Sequence, residues 1–135
     1  MLTSVSNAHL AGRVIVVVDD DERLRELFEL ILRSSMATVV ATGDSLHADH
    51  LIADTQPDLV LLDVDMPAFD GWQVARRLKA DPRTASIPFM FVTGTDMGRI
   101  RASDAGAAGV VRKPFDPSTL EDAIDDVLAG AAAAA

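Results

Sequence analysis

The sequence predicts an α/β domain built on a doubly wound, five-stranded parallel sheet in the order 2-1-3-4-5. Three observations carry this expectation. Apolar runs such as VIVVV (14–18) and LVLL (59–62) are continuous rather than alternating, as strands covered on both faces must be. Segments of helical periodicity alternate with them, which is the βαβ pattern of a parallel sheet. The chain has 135 residues, 49% hydrophobic and 24% charged, which suits one globular domain with a proper core. The strand order is the common one for five-stranded sheets of this kind, and it makes strands 1 and 3 neighbours with the ligand crevice at their carboxyl ends.

Residues 1–12 are polar and aperiodic and read as a loose lead-in, with the domain proper over 13–129. After VIVVV, Asp21 and Glu22 open a helix whose stripe is Leu24, Leu27, Phe28, Ile31 and Leu32. ATVVA (37–41) is a second strand, and Gly43-Asp44 start a weaker helix carrying Ala48, Leu51 and Ile52. Pro57 ends it, and LVLL follows. Trp72, Ala75 and Leu78 mark a helix that stops near Asp81-Pro82. IPFMFV (87–92) is a fourth strand, followed by a short helix with Met97 and Ile100, and GVV (109–111) is a fifth. Asp116 as N-cap and Pro117 at the first helical position begin a last helix with Leu120, Ile124, Val127 and Leu128 on its buried face. Residues 130–135 form an Ala-rich tail, for which fraying, extension of the last helix and a linker stub are all open readings.

Composition narrows the function classes. There is no cysteine, which removes disulfides, thiolate catalysis and Cys-based zinc sites. No apolar run approaches the ~20 residues of a membrane span, and no secretory signal opens the chain, so a cytoplasmic protein without membrane contact is expected. A net charge of −9 repels phosphate backbones, so no direct nucleic-acid binding is expected either.

Chemistry-bearing residues gather at the carboxyl ends of the expected strands: Asp19, Asp20 and Asp21 after strand 1, Asp63 and Asp65 after strand 3, Thr93 after strand 4, Lys113 after strand 5. Singly each has an ordinary reading, as helix-capping acids, a loop acid, a strand-end hydroxyl and a solvated lysine. Together they converge on one edge of the sheet. Two carboxylates ~4 Å apart repel by about 4 kcal/mol at an effective dielectric near 20. Clustering Asp19, Asp20 and Asp63 therefore calls for a divalent cation, and all-oxygen hard ligands favour Mg²⁺. A hydroxyl (Thr93) and a fixed cation (Lys113) facing a metal are parts that stabilise charge in phosphoryl transfer. With no Ser, Cys or His at these ends, a carboxylate is the nucleophile, and Asp63 is best placed. His9, His47 and His50 stand apart, and Trp72 is expected to pack at the start of helix 3.

The motifs VVVDDD (16–21), LVLLDVDMPAFDG (59–71), FVTGTD (91–96) and GAAGVVRKPF (106–115) resemble, in order and spacing, the receiver domain of two-component response regulators. The resemblance covers about residues 13–129 and implies a flavodoxin-like (βα)5 fold that is a signalling switch or phosphorelay element rather than an enzyme. It implies Asp63 as phosphoacceptor, with a sensor histidine kinase or histidine phosphotransfer protein as donor. It implies Mg²⁺, with Mn²⁺ as a substitute, bound directly by Asp20, through water by Asp19, and by Asp63 and the backbone carbonyl of Asp65. Thr93 would bond the phosphoryl group and Lys113 pair with it, with Lys113-Pro114 a cis peptide and Asp70-Gly71 shaping the turn into helix 3. One departure is Val110, where the family usually carries an aromatic switch residue; a monomer or weak dimer is therefore expected. Nothing after the last helix leaves room for an output domain, so a stand-alone receiver or a portion of a longer regulator is expected.

Two readings compete. Asp63-Val64-Asp65 resembles the nucleophile motif of haloacid-dehalogenase-type phosphatases, but there the nucleophile strand comes first, and Met66-Pro67 replaces the expected small turn residue. A degenerate receiver that only binds partners is opposed by the complete set Asp19, Asp20, Asp63, Thr93 and Lys113. An FMN carrier of the same topology is opposed by Asp19–Asp21 where a phosphate loop would lie.

Overall fold

The computed structural model describes residues 9–95 and 99–134. Five parallel strands form one sheet in the order β2-β1-β3-β4-β5: β1 (Val14–Val18), β2 (Thr38–Thr42), β3 (Leu59–Asp63), β4 (Phe89–Thr93) and β5 (Gly109–Arg112). The helices are α1 (Glu22–Ser34), α2 (Ala48–Thr55), α3 (Gly71–Ala80), α4 (Arg99–Asp104) and α5 (Pro117–Ala134). The expected fold class and strand order are those of the structure.

Strand alternation explains why the apolar runs are unbroken. Ile15, Val17, Leu59, Leu61, Met90 and Val92 face a core closed by α1 and α5 through Phe28, Ile31, Leu32, Leu120, Ile124 and Leu128. Val16, Val18, Val60, Leu62, Phe89 and Phe91 face a second core closed by α2, α3 and α4 through Ala48, Ile52, Val74, Leu78 and Ala102. In the three inner strands, residues 15–18, 59–62 and 89–92 are buried on both faces of the sheet, so these runs carry no polar residue.

The helix starts are set by acids accepting from free backbone N–H groups. Asp21 Oδ1 accepts from the amides of Arg23 and Leu24, and Asp116 Oδ1 from that of Thr119 at 2.8 Å. Asp44 begins a 3₁₀ turn (Ser45–His47) that leads into α2, and Gln56, with φ of 52°, ends α2 before Pro57. Lys113-Pro114 is cis.

Several expectations are corrected. The lead-in is not loose throughout: Leu10 is fully buried in the α1–α5 core, and the His9 amide donates to Asp125 Oδ1 at 2.8 Å. An apolar side chain just ahead of an inner strand finds core even without periodicity around it. Of the α1 stripe, Phe28, Ile31 and Leu32 are buried, whereas Leu27 is 38% exposed and Leu24 only partly covered. Phe28 stacks on Phe115 at 5.2 Å, and this contact leaves Leu24 and Leu27 on the rim. The last helix runs on through Gly130 to Ala134, so the Ala-rich tail extends it, one of the readings open to that segment. β3 and β4 extend to Asp63 and Thr93, which are the last residues of their strands rather than loop residues. Residues 1–8, Asp96, Met97, the side chains of Ile100 and of the tail, and Ala135 lie outside what the structure describes.

Candidate functional site

Parallel pairing brings the strand ends to one edge. The ladder continues past β1 and β5, with the Asp19 amide donating to Thr42 O at 3.0 Å and the Lys113 amide to Thr93 O at 2.8 Å. Asp19, Asp20 and Asp63 thereby each place a carboxylate oxygen within 4.8 Å of the others. Asp19 and Asp63 are buried and Asp20 is exposed, so the cluster opens to solvent on the Asp20 side.

Lys113 Nζ donates to Asp63 Oδ1 at 3.0 Å and lies 3.8 Å from Asp19 Oδ2. One ammonium against three carboxylates leaves the pocket negative. Asp19 Oδ1 accepts from the Asp21 amide at 2.9 Å, but Asp19 Oδ2 is buried with no hydrogen-bond partner. Burial is the main cause that raises the Asp19 pKa to about 6; Asp63 and Asp20 push it up further, against the Asp21 amide and Lys113. An orphaned buried carboxylate oxygen facing two further carboxylates fits a hard divalent cation such as Mg²⁺, which takes few protein carboxylates and keeps its other ligands as water or phosphate oxygens.

Thr93 is fully buried at the end of β4. Its hydroxyl donates to the Thr95 carbonyl at 3.2 Å and accepts from the Thr95 amide at 3.1 Å, so it stands at the same edge of the sheet while these hydrogen bonds stay within its own turn. The side chain of Asp65 is exposed, and its amide reaches Asp63 Oδ1 at 3.4 Å.

Asp70 shapes the entry into α3, whereas the reason for Gly71 departs from expectation. Asp70 is the N-cap of α3, in a capping box with Gln73, accepting from its amide at 3.0 Å and donating its own amide to Gln73 Oε1 at 2.9 Å. Gly71 is not held there by turn conformation. A Cβ on it would stand 2.4 Å from Asp63 O and 2.8 Å from Val64 Cα, so glycine lets α3 press against the backbone of Asp63. In sequence the motif's glycine reads as a turn signal, and nothing local to it reveals this contact.

A second feature hidden in the sequence lies beside Lys113: Leu24, Leu27, Lys113, Pro114 and Phe115 line a shallow apolar depression of about 300 Å³. The helical stripe suggests core, and only the exposure of Leu27 distinguishes a surface. His9, His47 and His50 lie apart from the site, His47 bonding Asp44 Oδ2 at 2.8 Å. Trp72 packs on Phe91 at 4.7 Å, with Arg101 over its ring.

The sequence profile of the response regulator receiver domain matches residues 15–125. The phosphate regulon transcriptional regulatory protein PhoB of Pseudomonas aeruginosa is 33% identical over 121 residues, covering 88% of this chain and 53% of that protein, so this chain spans about half the length of that relative. The structure of a response regulator of Chloroflexus aurantiacus superposes with a TM-score of 0.81 at 30% identity, covering 87% of this chain and 98% of that one. The BeF3-activated N-terminal receiver domain of RstA from Klebsiella pneumoniae does so with 0.77 at 30% identity, covering 85% and 97%. With the profile spanning most of the sequence and the same fold recurring at this identity, the chain belongs to the response regulator receiver domain family.

Proposed function

We propose that the chain is a Mg²⁺-dependent phosphoacceptor in which Asp63 takes a phosphoryl group from the phosphohistidine of a histidine kinase or a phosphotransfer protein. The observation that carries this reading is the buried Asp63, paired to Lys113 at 3.0 Å and clustered with Asp19 and Asp20. The activated state of the Klebsiella relative supports it.

Asp19, Asp20, Asp63 and the Asp65 carbonyl would hold the metal, with Mn²⁺ as a substitute. When bound, Mg²⁺ supplies positive charge that offsets repulsion between the carboxylates and the incoming phosphoryl oxygens. Asp63 Oδ attacks phosphorus in line; the P–N bond breaks as the P–O bond forms, and the imidazole leaves with the electron pair. Lys113 holds the Asp63 carboxylate at the end of β3 and then pairs with a phosphoryl oxygen. Thr93 gives up its bond to the Thr95 carbonyl to donate to another. The chemistry is self-phosphorylation and self-dephosphorylation rather than turnover of a separate substrate.

The depression around Leu24, Leu27 and Phe115 offers a helical donor an apolar seat beside Lys113. At Val110 no ring is available to swing inward, which favours a relay of phosphate or a readout through loops at the site. No helix among the described residues is long and apolar enough to cross a membrane, consistent with action in the cytoplasm.

Intact mass spectrometry after acetyl phosphate and Mg²⁺ tests the proposal. One added phosphoryl group, absent in Asp63→Asn and in EDTA, is expected. Unchanged mass contradicts it, and sustained hydrolysis of phosphate monoesters would favour the phosphatase reading.

A further inference from the structure

We propose that Arg25 is a positioning residue for the metal site, acting through the backbone of the Asp19–Asp20 peptide. Asp63 is fixed by Lys113, and Asp19 by burial and the Asp21 amide. Asp20 has no such anchor: it is exposed, and its carboxylate makes no hydrogen bond or ion pair with the described residues. Its place in the cluster is therefore set by the backbone that carries it.

That backbone is pinned from both sides. The Asp19 amide is held by Thr42 O at 3.0 Å, and the Asp19 carbonyl accepts from Arg25 Nη1 at 2.8 Å. The carbonyl and the following Asp20 amide share one rigid peptide plane, so fixing the carbonyl direction fixes where the Asp20 Cα begins. Arg25 is itself anchored one turn into α1, its amide bonded to Asp21 O at 3.0 Å, and half-buried.

Gly43, just after β2, makes the arrangement possible. A Cβ there would lie 2.5 Å from Arg25 Nη1 and 3.2 Å from Cζ, so the missing side chain leaves the slot that the guanidinium fills. Gly43 is not in the left-handed region, so space, and not conformation, explains the glycine. The guanidinium thus ties α1 to the β1–α1 loop behind the acidic cluster, beside Gly43 at the end of β2.

This inference rests on the Mg²⁺ reading of the site and makes a prediction of definite sign. A cation near a divalent metal site opposes binding by charge alone, so its removal would tighten Mg²⁺ binding. A positioning residue does the opposite: its loss lets Asp20 wander and weakens binding, roughly tenfold by analogy with other residues that orient metal ligands.

Mg²⁺ binding by the full chain is measured by calorimetry, and by amide chemical shifts of Asp20 and Asp63, for wild type, Arg25→Ala and Arg25→Met. The Met variant retains the aliphatic stem against α1 should Ala disturb folding. The expected result is weaker Mg²⁺ binding in both variants, with the Mg²⁺-induced shift lost at Asp20 and kept at Asp63. Unchanged or tighter binding overturns the proposal, as does loss of both shifts together. Failure of wild type to bind Mg²⁺ overturns instead the reading of the site on which it rests.

Discussion

Lys113 and Asp63, 50 positions apart, meet at 3.0 Å because β5 and β3 flank β4 in one parallel sheet and end at the same edge. The Lys113 side chain is 22% exposed and the Asp63 side chain 2%. The pair therefore sits at the mouth of the pocket with its acid inward, and the lysine is the cation with which a bound metal would share the site.

Replacing that cation should separate two roles. In Lys113→Met the buried carboxylates lose their counter-charge, so the metal-free protein should be destabilised by about 2 kcal/mol, below the value for a fully buried pair because the lysine is partly solvated. Mg²⁺ should bind about tenfold tighter, since a competing positive charge is gone. Phosphorylation by acetyl phosphate should nonetheless slow by on the order of 100-fold, through loss of a donor to the phosphoryl oxygens. Denaturant unfolding, calorimetry and phosphorylation rates check the three parts.

The raised pKa of Asp19 fixes a pH signature. Between the ordinary value of 3.8 and about 6, the folded metal-free protein holds a proton that the unfolded chain has released. This contribution to stability is therefore present below about pH 4, declines as pH rises through that window, and is fully lost above about pH 6. Asp19→Asn keeps an oxygen for the Asp21 amide and removes the charge. The variant should gain on wild type between pH 4 and 6, reaching on the order of 1–3 kcal/mol and levelling off above it. Denaturant unfolding in EDTA across this range measures the difference, and Mg²⁺ should narrow it by stabilising wild type alone.

Two glycines predict opposite outcomes. Gly71→Ala forces a Cβ to 2.4 Å from Asp63 O, against backbone that has no free end to move. It should destabilise by about 2–3 kcal/mol and slow phosphorylation by shifting Asp63. Gly130 lies in α5, and a Cβ added there would meet nothing within 4 Å, so Gly130→Ala should stabilise by about 0.5–1 kcal/mol through helix propensity. Thermal unfolding distinguishes the two.

In the proposed function the apolar depression next to Lys113 would seat the donor protein and take no part in the chemistry. Leu27→Glu changes a side chain that is 38% exposed, so stability should shift by less than about 0.5 kcal/mol and phosphorylation by acetyl phosphate should be unchanged. Transfer from a phosphohistidine-bearing kinase domain that phosphorylates wild type should fall at least about tenfold, as for an anchor residue of an interface. Parallel rates with the two donors give the answer.

The sheet and the site are legible in the sequence for one reason: in a parallel sheet covered on both faces, apolar runs mark the strands, and whatever follows them shares an edge. Asp19, Asp20, Asp63, Thr93 and Lys113 all stand at strand ends and so fall at that edge. Other features depend on contacts that no local pattern encodes. The stripe of α1 gives the direction of its apolar face, but whether Leu27 is core or rim depends on Phe115, far along the chain. Leu10 has no periodic context, and its burial follows from packing against α1 and α5 residues far along the chain. Gly71 and Gly43 look like turn formers because glycine most often is one; their neighbours Asp63 O and Arg25 Nη1 come from other elements. The pattern puts Thr93 at the strand end, but the direction of its hydroxyl is decided by Thr95 within its own turn.

The central claim is that Asp63 carries the phosphoryl group. Phosphorylated protein treated with borohydride converts an aspartyl phosphate to homoserine, and peptide mass spectrometry then locates the altered residue. The account predicts conversion at residue 63 alone, dependent on Mg²⁺; conversion at Asp19, Asp20 or Asp65 instead, or phosphate on any other side chain, would contradict it.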